Sequence, residues 1–303
     1  MLSGYLLSEK ELTGHYYLGL IRILITYLGA GVFIQGAELL INGGNVPSVI
    51  LSFFEFKAAP YGWYIGLYIG LYLLVPFMNI LWKNLTNAQK KVLLITLIIV
   101  TAVPCVFNVF DLHNSTNWMH GTLHNHTTLL PEYFLDIYPI TFYFIGVFIK
   151  ENQEKIKSCK TKIVFILPVL MLIFGTLEFF KYNGEVFPWA LNTSYGSMEN
   201  VCVATLIYCS LLRWDVKNRV VKKIIRFISC HSLSIYLLSY LMDKTLYHYF
   251  GGFMVKTDVT RTLCFIPVVI ANLIVTSVIA IPFDYVANNV IYFVKSKFAN
   301  LMK

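Results

Sequence analysis

Residues 60–82 read PYGWYIGLYIGLYLLVPFMNILW, and the 22 residues from Tyr61 to Trp82 include no charged side chain. As an α-helix this stretch is about 33 Å long at a rise of 1.5 Å per residue. The hydrocarbon core of a bilayer is about 30 Å thick. Lys57 and Lys83 stand just outside the two ends. The stretch therefore predicts a membrane-spanning helix.

Glycine and tyrosine each repeat every fourth residue inside this helix. The glycines are Gly62, Gly66 and Gly70, and the tyrosines are Tyr64, Tyr68 and Tyr72. The glycines predict a smooth face where another helix backbone can come close, and the tyrosine hydroxyls line the opposite face. Because lipid offers a hydroxyl no partner, the tyrosines either have partners in the core of a bundle or line a polar cavity.

The composition of the whole chain is that of a membrane protein. Of 303 residues, 57% are hydrophobic, 16% aromatic and only 13% charged, and the mean hydropathy is +0.65. Soluble domains carry about 25% charged residues. The formal net charge is +8, but the basic residues form short clusters between apolar runs, which indicates membrane topology rather than nucleic-acid binding. The six cysteines lack metal-like spacing, so we predict no disulfide framework and no metal site.

Eight apolar runs predict an all-α integral membrane protein, a polytopic bundle of about eight transmembrane helices in one domain, residues 1–303. They lie near residues 18–40, 61–82, 91–110, 133–150, 162–180, 198–213, 224–249 and 261–282. The segments on one side of the membrane carry nineteen Lys and Arg, and those on the other side carry five. Since basic loops stay in the cytoplasm, we expect a multi-pass protein of the cell membrane with both termini cytoplasmic.

Four segments, taken in order, resemble the acyltransferase-3 family of integral membrane O-acyltransferases. They are SGYLLS at 3–8 followed by YYLGLIRILITYL at 16–28, WYIGLYIGLYLLVPFMNILW at 63–82, FYFIGVFI at 142–149 and ISCHSLSIYLLSY at 228–240. Each motif is weak alone, but their order and spacing extend over nearly the whole chain. The chain departs from the family at Ser239, where the last motif frequently ends in histidine.

The resemblance implies a fold of ten spans, two more than are predicted here. It also implies a first helix with an Arg and a catalytic His about ten residues apart, which we expect upstream of Met1. Residues 2–7 look like the last turns of a span whose beginning is missing. We therefore expect the domain to be shortened at its amino terminus relative to the family.

The function implied by the resemblance is transfer of an acyl group, expected to be acetyl, from cytoplasmic acyl-CoA to a hydroxyl of a cell-surface or exported carbohydrate. Acyl-CoA is then a co-substrate, no cofactor is bound, and the partners are the bilayer and the carbohydrate, with no nucleic acid. Two alternatives stay open: a transporter or flippase-like carrier, and a catalytically inactive partner subunit.

Arg22 is the candidate for binding the donor. It lies about one turn inside the predicted cytoplasmic end of the first full span. A guanidinium fork matches the geometry of phosphate, so Arg22 could hold a phosphate of acyl-CoA. A snorkelling arginine that only reaches the membrane interface is the alternative.

The span near 224–249 carries a polar stripe. Ser232, Tyr236, Ser239 and Asp243 follow the spacing i, i+4, i+7 and i+11, which places them on one helix face. Such a stripe faces either a water-filled cavity or a neighbouring helix to which it hydrogen-bonds. We predict a cavity whose other wall is formed by the tyrosine row.

The predicted external loop, residues 111–132, contains four histidines. Among them His120, His124 and His126 are candidates for a zinc site or a general base. The Asn, Thr, Gly and Ser between them indicate a solvated loop. A loop does not hold an i,i+4 pair in place. We therefore expect this loop to act as a lid or an acceptor-binding surface rather than as a catalytic site.

Overall fold

The structure is a computed structural model, and it describes residues 1–42, 46–158, 166–182, 187, 194–254 and 258–301. Every regular element within these ranges is helical. The helices are α1 (Leu2–Leu7), α2 (Gly14–Tyr17), α3 (Gly19–Asn42), α4 (Val46–Phe54), α5 (Trp63–Asn84), α6 (Asn87–Thr101), α7 (Pro104–Phe107), α8 (Tyr138–Glu151), α9 (Gln153–Ser158), α10 (Ile166–Lys181), α11 (Met198–Leu212), α12 (Arg219–Met254) and α13 (Asp258–Leu301). Short 3-10 turns precede α5 and α8.

Five helical stretches of the described residues are long and apolar enough to cross a membrane. They are Gly14–Leu40, Pro60–Asn84, Asn87–Phe107, Arg219–Leu246 and Leu263–Lys297. They coincide with five of the eight predicted spans.

The other three predicted spans coincide with α8, α10 and α11. These helices have 14, 16 and 15 residues, whereas a straight crossing needs about 20. The segment 159–165, in which the span near 162–180 was predicted to begin, lies outside the described residues. The count of eight spans therefore stays a prediction.

The chain divides into two compact units. Unit 1 comprises Met1–Glu11 and Leu74–Asp215, and unit 2 comprises Leu12–Leu73 and Val216–Lys303. The division falls within α5, so this helix contributes its end to unit 1 and its beginning to unit 2.

Unit 1 is organised around the close packing of α1 on α8. A Cβ atom at Gly4 would lie 1.9 Å from the carbonyl oxygen of Tyr143, so the two backbones meet where there is no side chain. Beside this contact, the Asn79 amide donates to the carbonyls of Leu7 and Lys10, both at 2.8 Å. Its oxygen accepts a hydrogen bond of 2.6 Å from the Tyr143 hydroxyl. Asn79 thus joins α5 to α8 and to the end of α1.

Unit 2 has its core where α3, the start of α5 and α12 meet. Eight residues form this buried cluster: Tyr27, Ala30, Ile34, Ala58, Ala59, Ile65, Leu237 and Leu238. Among the described residues, the most extensive helix–helix contact in the unit is between α12 and α13, which have 36 and 44 residues. Both helices continue beyond the predicted spans. The reason is that an apolar run identifies the membrane-spanning part of a helix and not the residues at which the helix begins and ends.

The glycine face of α5 is used over only part of its length. At Gly62, a Cβ would lie 2.5 Å from the Phe56 carbonyl oxygen, and at Gly66 it would lie 3.3 Å from the Phe56 ring. Phe56 has a left-handed backbone, with φ of 56°. At Gly70, no atom of another described segment lies within 4 Å of a Cβ. The close neighbour is thus the segment before α5, and not the helix backbone that the glycine repeat predicts.

Candidate functional site

A histidine, a serine and an aspartate meet between α12 and α13 in unit 2. The imidazole of His231 and the hydroxyl of Ser234 each hydrogen-bond one oxygen of the Asp284 carboxylate, through Nδ1 to Oδ2 and through Oγ to Oδ1. Asp284 is 8% exposed and Ser234 is 2% exposed, while 22% of the His231 side chain stays accessible. We call these three residues the His–Asp cluster.

Local helix geometry brings the cluster together. His231 and Ser234 are three residues apart on α12, so both side chains project from one face toward α13. The ring of Phe227, one turn earlier, lies 4.8 Å from the imidazole centroid and packs against it. An imidazole held through Nδ1 by a carboxylate directs Nε2 away from that carboxylate, which is the arrangement of an oriented general base.

A second polar cluster lies farther along α12. The Asp243 carboxylate accepts a hydrogen bond of 2.7 Å from the Tyr61 hydroxyl and another from the Asn272 amide. Thr276, one turn beyond Asn272, donates to the Asn272 amide oxygen at 2.7 Å. Asp243 is 12 residues from His231, which is about 18 Å along the helix.

The predicted tyrosine row is continuous and reaches α12. Ring centroids are 6.3 Å apart for Tyr64 and Tyr68 and 6.0 Å apart for Tyr68 and Tyr72. Tyr64 packs edge-to-face against Tyr236 at 5.8 Å. The row and the α12 stripe therefore meet at these two rings.

At the other end of the row, Tyr72 stacks on Tyr16 with centroids 4.3 Å apart. Each hydroxyl donates to the backbone carbonyl of the other residue, at 2.8 Å from Tyr16 and 2.9 Å from Tyr72. The Tyr72 hydroxyl is thus engaged in helix packing.

The two serines of the predicted stripe hydrogen-bond within α12. Ser232 is exposed and donates to the Ser229 carbonyl at 3.1 Å, and Ser239 donates to the Tyr236 carbonyl at 2.8 Å. Arg22 is exposed in the first turns of α3, and within the described chain its guanidinium has no ion-pair partner.

The predicted external loop is held by hydrogen bonds within the loop and to the end of α10. Nε2 of His126 lies 3.0 Å from Glu132 Oε1, and Nδ1 of His120 donates to the Lys181 carbonyl at 3.3 Å. An open pocket of about 520 Å³ lies here, lined by Asp111, His113, Asn114, Ser115, His124, Asn125 and His126. His124 and His126 line this pocket, whereas His120 is not among its lining residues. Among the described residues, no group of three or more His, Cys, Asp or Glu side chains is suited to hold a metal ion.

Sequence reasoning missed the His–Asp cluster. His231 and Ser234 belong to the quoted ISCHSLSIYLLSY motif but lie off the face that carries Ser232 and Tyr236. Asp284 follows the predicted end of the last span by two residues. A usable signal was present, because an acid inside a long apolar helix marks a functional site by default.

Comparison with known proteins identifies the family. The profile of the acyltransferase-3 family, described as an acyltransferase domain, matches residues 1–281. The chain belongs to the acyltransferase-3 family. This confirms the resemblance, and with the apolar helices it indicates a multi-pass membrane acyltransferase. No curated protein and no solved structure matches the chain.

Proposed function

We propose that this protein is a membrane-bound O-acyltransferase that moves an acyl group from cytoplasmic acyl-CoA to a hydroxyl of a cell-surface or exported carbohydrate. We expect the acyl group to be acetyl. Family membership supports acyl transfer in general. The donor, the acyl group and the acceptor are part of the proposal.

The observation that carries the proposal is the pair of polar clusters along α12. One is centred on His231 and the other on Asp243, about 18 Å apart along a helix apolar enough to cross a membrane. Ionisable side chains inside such helices are costly and belong to functional paths. The cavity that we propose has the tyrosine row as one wall and the α12 stripe as the other, and its lining residues would be Tyr64, Tyr68, Tyr72, Ser232, Tyr236, Ser239 and Asp243.

The proposed topology has eight spans with both termini in the cytoplasm and the 111–132 loop outside. In this orientation Arg22 lies at the cytoplasmic end of α3, where donor phosphate arrives. Its guanidinium is exposed and has no ion-pair partner among the described residues, which supports this role. The loop histidines His120, His124 and His126 would then lie on the acceptor side.

The test is acyl transfer by the purified protein in lipid nanodiscs. Radiolabelled acetyl-CoA and longer acyl-CoAs are supplied with cell-envelope polysaccharide, and free CoA thiol and labelled carbohydrate are measured. We expect both products to form in equal amounts, fastest with acetyl-CoA. Arg22→Gln should raise the KM for acyl-CoA, whereas the matched exposed change Lys91→Gln should not.

The same experiment separates the alternatives. A carrier in proteoliposomes would move substrate across the bilayer without releasing CoA thiol. An inactive partner subunit would neither release thiol nor move substrate on its own. Either result would remove the enzymatic proposal for this chain.

A further inference from the structure

We infer that unit 1 binds an anionic phospholipid, with the phosphate among three lysines near the start of α6 and an acyl chain in an adjoining apolar groove. The inference uses none of the residues assigned to acyl transfer. It goes beyond the proposed function and does not depend on it.

A polar pocket of about 570 Å³ lies where the start of α6 meets the end of α8 and α9. Its lining includes the lysines Lys90, Lys91 and Lys155 and a single acid, Glu151. Lys90 pairs with Glu151 at 2.8 Å. Within the described chain, the amines of Lys91 and Lys155 have no ion-pair or hydrogen-bond partner. The pocket therefore keeps two positive charges that an anion can neutralise.

An apolar groove of about 400 Å³ adjoins the pocket. Its walls come from α6, α8, α10 and α11, and apart from Thr205 its lining residues are all hydrophobic. Phe148 lines both the groove and the polar pocket. The two hollows therefore meet at this side chain and form one site with a charged end and a hydrocarbon end.

The site runs from the end of a membrane span toward its interior. Asn87, Lys91, Leu94 and Ile98 follow the spacing i, i+4, i+7 and i+11, so one face of α6 changes from polar to apolar. Asn87 begins the candidate span Asn87–Phe107. Along the axis Lys91 is about 6 Å from this end and Ile98 about 16 Å. Because headgroups border the hydrocarbon core, the lysines lie at headgroup level and the groove lies at the level of the acyl chains.

An anionic phospholipid matches both ends of this site. Lysine binds phosphate as a point charge, and basic pockets between transmembrane helices bind the headgroups of anionic lipids. The proposed topology places this end of α6 in the cytoplasmic leaflet, whose surface is negative. The groove offers an acyl chain an apolar wall from four helices.

The competing explanation is that these lysines only set the topology of the chain. For that role they need to lie on one side of the membrane, in any arrangement. A lipid site also needs them to surround one hollow that continues into an apolar groove.

The binding test measures the Kd for phosphatidylglycerol by native mass spectrometry of the purified protein in detergent. Phosphatidylcholine with the same acyl chains is the zwitterionic reference. In the double variant Lys91→Gln/Lys155→Gln we expect the Kd for phosphatidylglycerol to rise about tenfold or more, with little change for phosphatidylcholine. The matched control is Lys222→Gln/Lys223→Gln, which removes two exposed lysines near the start of the candidate span Arg219–Leu246.

A photochemical probe locates the acyl chain. Phosphatidylglycerol with a diazirine in one chain is added in trace amount to phosphatidylcholine nanodiscs, and crosslinked peptides are identified by mass spectrometry. We expect crosslinks at Ile98 and Cys202, which line the groove, to be several-fold weaker in the Lys91→Gln/Lys155→Gln variant. Crosslinks to the exposed residue Ile274 of α13 should not change.

Three results would overturn the inference. An equal change of Kd in the two double variants, or none in either, would show that the pocket does not select the lipid. Crosslinks that avoid Ile98 and Cys202 would remove the acyl chain from the groove. Displacement of the lipid by free coenzyme A, or a raised KM for acyl-CoA in Lys91→Gln, would assign the pocket to donor phosphate instead. None of these results depends on whether the protein transfers an acyl group, except the KM.

Discussion

The Tyr61 hydroxyl donates a 2.7 Å hydrogen bond to the Asp243 carboxylate, although the two residues are 182 positions apart in sequence. The same carboxylate also accepts from Asn272 on α13. One acidic side chain therefore joins the 3-10 turn before α5 to α12 and α13 inside unit 2, and both of its oxygens have a donor.

Replacing this acid should destabilise unit 2. Asp243→Asn turns one acceptor oxygen into an amide donor, which then faces either the Tyr61 hydroxyl or the Asn272 amide where that group had an acceptor. A buried polar group left without a partner costs about 1–3 kcal/mol, so we expect a loss of that size. Tyr61→Phe should cost less, because Asn272 still holds the carboxylate. Thermal unfolding in detergent measures both, and equal stability of Asp243→Asn and wild type would contradict the prediction.

The approach of α1 to α8 should tolerate no side chain at Gly4. A Cβ there would overlap the Tyr143 carbonyl oxygen, so Gly4→Ala must push the helices apart. Overpacking of this kind costs about 1–3 kcal/mol. Gly175→Ala is the matched control in unit 1, because among the described residues no other segment comes within 4 Å of its Cβ position. Comparable unfolding midpoints for the two variants would show that the close approach does not matter for stability.

Lys181 should make the stability of unit 1 depend on pH. The Nζ atom of Lys181 lies 3.6 Å from the Phe110 ring centroid. Burial lowers the pKa of this ammonium from 10.5 to about 8. Between these two pKa values the unfolded chain binds a proton that the folded chain lacks, so stability should rise with pH from about 8 to 10.5.

The comparison for Lys181 uses Lys181→Met, which has no titrating group at this position. The difference in unfolding free energy between wild type and this variant should shift in favour of wild type as the pH rises from 7 to 10. A difference that is constant over this range would show that Lys181 titrates like an exposed lysine.

The proposed topology predicts which surface residues can be labelled from outside. Asn117 and Lys157 are both exposed, but we place the first outside the cell and the second in the cytoplasm. In a background without the native cysteines, a membrane-impermeant maleimide should label Asn117→Cys in intact cells and reach Lys157→Cys only after permeabilisation. The reverse pattern would overturn both the topology and the direction of transfer.

The sequence alone determined the helical class, the positions of the five long apolar helices and the family. Each of these properties depends either on a short run of residues or on the order of motifs along the chain, and not on how the helices pack. The 22 uncharged residues from Tyr61 to Trp82 identify a membrane-length helix wherever it packs, and the family motifs depend on their order along the chain. The tyrosine row could also be predicted, because the 3.6-residue helical repeat sets the direction of each side chain.

Tertiary structure decided which polar groups meet. Periodicity places Ser232 and Asp243 on one face of α12, but it does not specify how that helix is rotated and shifted against α13. That register results from packing summed over the whole length of the two helices. In the observed register Asp284 lies opposite His231 and Ser234, and Asn272 lies opposite Asp243. The oriented imidazole therefore exists only in the folded protein, since its partner comes from 53 residues farther along the chain.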